Sequence, residues 1–103
     1  MKSTLLIAGF FALFGIVGPT QAAGDVQAGK TKAAACAGCH GANGEGKAPN
    51  PALAGKAEKE FVQALKDYKS GKRDNAIMKT FAIPLSDQDM VNLAAYYASL
   101  KGK

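Results

Sequence analysis

Cys36-Ala37-Gly38-Cys39-His40 is the stretch on which the reading of this chain turns. Two thiols stand three positions apart, and an imidazole follows the second directly. A redox pair of the thioredoxin kind would want a strand–helix–strand setting and has no use for a histidine in the fifth position. A structural zinc site needs four ligands, and the 103 residues hold two Cys and one His in all. A plain disulfide is the bland alternative, but a bridge closing so small a loop constrains little. The spacing suits covalent attachment of a c-type haem. Two thiols at the end of a helix can each add to one vinyl group, giving two thioethers, and His40 is then delivered beneath the iron as an axial ligand.

A second axial ligand has to come from elsewhere. With His40 used, the soft donors downstream are Met78 and Met90. Met90 falls on an apolar helical stripe, where methionine usually fills core space. Met78 falls within Asn75-Ala76-Ile77-Met78-Lys79, read as a loop that can point a side chain at a buried metal. Core packing remains open for Met78 as well; the need for a sixth ligand favours it over Met90. A Met/His pair raises the reduction potential relative to two His and leaves no open coordination position.

Working outward, the N-terminus reads as an address. Lys2 precedes an uncharged apolar run from Leu5 to Val17, Gly18-Pro19 breaks it, and Thr20-Gln21-Ala22 places small residues at the −3 and −1 positions of a cleavage site. Spanning a bilayer needs about 20 apolar residues, which this run lacks. Cleavage after Ala22 is expected, with Ala23 the next choice, and no Cys at the junction supports a lipid anchor. Residues 1–22 are thus read as a signal peptide and 23–103 as one domain. Removing Lys2 takes the formal net charge from +5 to +4. Export places the domain in the bacterial periplasm, where haem of this type is attached.

The domain reads as all-α, with three main helices joined by long loops around one covalently attached haem. Asp25 caps a first helix with Val26, Gly29, Ala33 and Cys36 on one stripe. Gly29 costs about 1 kcal/mol relative to Ala in an exposed helix interior, so something must approach its backbone closely. The glycines and prolines from Gly38 to Pro51 predict a loop. A second helix is expected over Ala57 to about Lys69, with Phe61, Val62, Leu65 and Tyr68 inward. Residues 72–84 are read as another loop. The last helix starts at Ser86, with Asp89 completing a capping box, and turns Met90, Leu93, Ala94, Tyr97 and Leu100 inward.

The ordered set of segments resembles a small class I cytochrome c, close to the bacterial cytochrome c553 type and to one half of the dihaem cytochrome c4. The resemblance is carried by Gly-Asp-Val-Gln-Ala-Gly-Lys (24–30), Cys-Ala-Gly-Cys-His-Gly (36–41) and Asn-Pro-Ala-Leu-Ala-Gly (50–55). It continues through Tyr68-Lys69-Ser70-Gly71-Lys72-Arg73, Met78, Leu85-Ser86-Asp87-Gln88-Asp89 and Leu93-Ala94-Ala95-Tyr96-Tyr97. It implies that His40 and Met78 are the axial ligands and Cys36 and Cys39 the covalent anchors. It also implies that the Pro51 carbonyl accepts a hydrogen bond from His40, and that the first and last helices cross with Gly29 against Tyr96. One motif in one domain implies a single haem.

The expected function is one-electron transfer between redox protein partners, with no catalysis. Two alternatives stay open: a haem enzyme or gas-binding protein with an open sixth site, and a relay subunit of a larger oxidoreductase complex. Arg73 is either a propionate partner or a solvated loop charge. Lysines 47, 56, 72 and 79 fall in loops expected around the haem edge and would steer a partner with an acidic docking surface. Gly41-Ala42-Asn43-Gly44-Glu45-Gly46 lacks the strand and the Lys-Ser/Thr ending of a phosphate loop. The modest charge and the absence of known reader motifs argue against nucleic acid. A monomer without a membrane anchor after cleavage is expected.

Overall fold

Asp25 opens the first helix by local chemistry: its Oδ1 accepts from the amides of Gln27 at 2.9 Å and Ala28 at 3.1 Å, covering donors that a helix start leaves unpaired. The computed structural model describes residues 23–100, so the signal peptide read over residues 1–22 lies outside the described residues. In chain order the helices are α1 (Val26–Lys32), α2 (Ala34–His40), α3 (Glu58–Ser70), α4 (Ala76–Ala82) and α5 (Asp87–Ser99). Among the described residues there is no strand, only an isolated bridge between Lys47 and Asn50.

Three expectations change. The first helix breaks at Ala33 into α1 and α2, although the Ala37 amide still reaches the Ala33 carbonyl at 3.0 Å across the joint. The glycine-rich loop begins at Gly41 rather than Gly38. Gly38 lies inside α2, where a single glycine weakens a helix without ending it. Gly41 does end it, with a φ of +100° that side chains on an L residue rarely adopt. Finally, residues 72–84 are not all loop, and Met78 lies on a helix. The Asn75 side chain accepts from the Met78 amide at 3.0 Å, and this cap starts the short helix α4, about two turns long, before Pro84.

α5 organises the rest. Ser86 and Asp89 form a reciprocal capping box, the Asp89 amide donating to Ser86 Oγ and the Ser86 amide to Asp89 Oδ2, each at 3.0 Å. Its buried face carries Met90, Leu93, Ala94, Tyr96 and Tyr97. Met90, Leu93 and Tyr97 are the largest fully buried side chains, each stabilising the fold by about 1.5–3 kcal/mol through burial. α3 brings Phe61 and Leu65 to the same cluster, and the Phe61 ring stacks on Tyr97 with centroids 5.6 Å apart.

α1 crosses α5 at Gly29. A Cβ there would fall on the Asn92 carbonyl oxygen and lie 2.8 Å from the Tyr96 Cβ, so only a glycine lets the two backbones meet. Asn92 also ties the crossing through its side chain, with Oδ1 accepting from the Asp25 amide at 2.8 Å and from Gln88 Nε2 at 2.9 Å. With α5 backed by α1 on one side and by α3 on another, the C-terminal end of α2 is held over the core.

Candidate haem site

α2 delivers three functional groups within five residues. Cys36 is half-buried against the core, Cys39 is exposed, and His40 is buried at the helix end. The chain after Gly41 folds back under them. The Gly46 amide donates to the His40 carbonyl at 2.7 Å, and Asn50 Nδ2 donates to the Cys39 carbonyl at 3.0 Å. This return brings the Pro51 carbonyl to 2.7 Å from His40 Nδ1. A carbonyl can only accept, so the bond requires the proton on Nδ1 and leaves the Nε2 lone pair as the donor for a metal. The bond also fixes the ring plane.

A cavity of about 1150 Å³ opens beside this helix end. Cys36, Cys39, His40 and Met78 all line it, together with apolar groups that include Leu53, Phe61, Leu65, Ile77, Phe81 and Leu93. Met90, the other candidate ligand, is fully buried in the core and does not line the cavity. Small-molecule sites usually measure about 300–1,000 Å³, so this one suits a large, flat, mostly apolar group. A smaller depression of about 300 Å³, between α3 and Val91, contains none of the candidate ligands.

Behind the wall residue Cys36 lies the buried Tyr97. Burial pushes the Cys36 thiol above its ordinary value; the Tyr97 hydroxyl, hydrogen-bonded to it, works in the opposite direction, and Cys39 adds a small upward push. Tyr97 itself is held far above the usual phenol range, first by burial and then by Cys36, and therefore keeps its proton as a donor. At the cavity margin the Arg73 guanidinium carbon lies 5.1 Å from the centre of the Tyr68 ring, a cation–π arrangement, with Nη1 3.4 Å from the Tyr68 hydroxyl. Both residues line the cavity.

Sequence reasoning did not find the roles of Tyr97, Asn50 and Asn75. Tyr97 reads as a core aromatic, and no pattern announces where its hydroxyl goes. Asn50 and Asn75 each act within a local turn. Of these, only Asn75 was detectable, as a capping residue ahead of a stretch free of Gly and Pro.

Two thiols, an oriented imidazole and a thioether thus line one large, mostly apolar cavity. The Cytochrome c family model matches residues 26–101, and the chain belongs to that family. Its cofactor is haem c, and the family is one of electron carriers rather than enzymes. The chain is 44% identical over 97 residues to cytochrome c4 of Pseudomonas aeruginosa, covering 93% of this chain and 48% of that protein. It is 41% identical over 81 residues to cytochrome c-554(548) of Halomonas halodenitrificans, covering 75% of this chain and 98% of that one. The fold is similar to the crystal structure of reduced recombinant cytochrome c4 from Pseudomonas stutzeri, with a TM-score of 0.70 and 40% identity over 75% of this chain and 46% of that chain. The chain thus spans about half the length of its cytochrome c4 relatives.

Proposed function

We propose that the chain is an exported, periplasmic one-electron carrier, with haem joined to Cys36 and Cys39 and iron held between His40 and Met78. The observation that carries this reading is the joint placement of His40 and Met78 on one cavity, with His40 Nδ1 engaged by Pro51 at 2.7 Å and Met90 buried elsewhere. When bound, the haem supplies a metal centre that cycles between ferrous and ferric states.

The chain's own residues do the remainder. Pro51 orients His40 and holds its proton on Nδ1. Met78 would offer the metal a soft, uncharged donor, which would raise the potential and close the metal to substrates. Phe61, Leu65, Phe81 and Leu93 exclude water from the cavity wall. Arg73, which rests on Tyr68 and lines the cavity, would pair with a propionate. The exposed Lys47, Lys56, Lys72 and Lys79 steer redox partners that present acidic surfaces. No described helix is long and apolar enough to cross a membrane. Removal of residues 1–22 would release a monomeric domain of residues 23–103.

A controlled-potential titration, followed by exposure of the ferrous protein to carbon monoxide, tests the reading. A single one-electron wave and a ferrous spectrum that resists the gas are expected. Rapid binding, as to an open haem, would replace the carrier with a gas-binding or catalytic protein.

A further inference from the structure

The segment that carries Met78 is attached to the domain unevenly. α4 packs on α3, whereas α5 takes its packing from α1 and α3. Ile77 and Phe81 of α4 face the cavity, and after α4 the chain is open to solvent at Ile83, which is 53% exposed. A short helix packed mainly on one neighbour is the kind of segment that opens locally before the rest unfolds. Polar attachments to α3 therefore matter more here than elsewhere in the chain.

Two such attachments bracket Met78. On the near side the Arg73 amide donates to the Asp67 carbonyl at 3.0 Å, and its guanidinium rests on Tyr68. On the far side Lys69 Nζ donates to the Leu85 carbonyl at 2.6 Å, spanning 16 positions. Leu85 lines the cavity and packs against the core, so this bond reaches the place where the segment re-enters the fold. A cationic donor on a carbonyl is stronger than a neutral pair, and the short distance agrees with that.

We infer that Lys69 is a positioning residue for Met78: its bond to the Leu85 carbonyl closes the 70–84 segment and sets how often the thioether leaves the metal. The inference rests on the assignment of Met78 as axial ligand. Lys69 touches neither the cavity group nor Met78. It acts by lowering the population of the opened segment, so its effect appears in ligand release and not in helix content.

The test compares wild type, Lys69→Met, Lys69→Arg and Lys66→Met as ferric holoproteins titrated with exogenous imidazole, which binds only when the thioether has left. Lys66 is an exposed α3 lysine outside the cavity lining and controls for loss of one positive charge. Lys69→Met should raise the apparent imidazole affinity roughly three- to tenfold, the range expected for losing one hydrogen bond in an exposed setting. Lys69→Arg should restore most of the wild-type value, Lys66→Met should leave it unchanged, and far-UV ellipticity should be the same in all four. Equal affinity in Lys69→Met and wild type would overturn the inference, as would an equal rise in Lys66→Met. If wild type lacks the far-red band of a thioether-bound ferric haem, the Met78 assignment itself has failed. If the band is present and Lys69→Met behaves as wild type, only the role of Lys69 has.

Discussion

Gly29→Ala puts the packing account to its hardest test, because two effects of opposite sign act at one atom. In an unencumbered helix the change stabilises by about 1 kcal/mol through backbone entropy. At Gly29 the added Cβ would land on the Asn92 carbonyl oxygen, with the carbonyl carbon at 2.6 Å and the Tyr96 Cβ at 2.8 Å. These are atoms of a buried helix face, and no flexible side-chain end can swing away. Relief requires α1 to move off α5, which also lengthens the Asp25–Asn92 bond. Overpacking of this kind costs about 1–3 kcal/mol, and obstruction by backbone puts it at the upper end, about 3 kcal/mol. Subtracting the helix gain leaves a net loss of about 2 kcal/mol, or roughly 8–16 °C in Tm for a domain of this size. Thermal unfolding of the holoprotein followed by far-UV circular dichroism reads this directly. An unchanged or raised Tm would refute the close crossing of α1 and α5.

Gly38→Ala supplies the opposite case, since a Cβ there meets none of the chain's other atoms within 4 Å, and it should raise Tm by roughly 4–8 °C if the helix-propensity gain of about 1 kcal/mol is realised. Asn75→Ala removes the cap from the Met78 amide and should cost about 1 kcal/mol of stability in denaturant titrations, with Asn75→Asp retaining most of it. The Asp89 carboxyl is held below its usual range, chiefly by the Ser86 amide, with Ser86 Oγ and Lys32 assisting. Its folded-state value is the lower one, so its contribution is complete above the unfolded value of about 3.9 and fades as pH falls through the folded value. The Tm gap between wild type and Asp89→Asn should therefore be constant near neutrality and narrow under acid; a gap that widens on acidification would contradict the capping box.

Features that follow from local spacing were legible in advance. The capping box at Ser86, the inward stripe of α5 and the clustering of Cys36, Cys39 and His40 each depend on residues within a few positions of one another. Gly29 was legible as a demand for close approach, and the family resemblance supplied Tyr96 as its partner; the Asn92 backbone became evident only with the crossing in hand. Residues 72–84 misled because Gly71 and Pro84 punctuate a helix as short as α4, and at seven residues a hydrophobic stripe has no room to repeat. Gly38 misled because a helix tolerates one glycine when its surroundings hold the backbone in place. The Tyr97 hydroxyl, the Arg73–Tyr68 stack and the Lys69–Leu85 bond are contacts of tertiary geometry, and residue type alone does not specify them.

Met78, and not Met90, is the proposed partner of His40 in holding the metal. The far-red absorption band of the ferric protein, which reports thioether bound to haem iron, tests it most directly when recorded for wild type, Met78→Ala and Met90→Leu. The band should be present in wild type and in Met90→Leu, a core swap that should cost under about 1.5 kcal/mol, and lost in Met78→Ala together with a lowered potential. A band that survives Met78→Ala and disappears in Met90→Leu would contradict it.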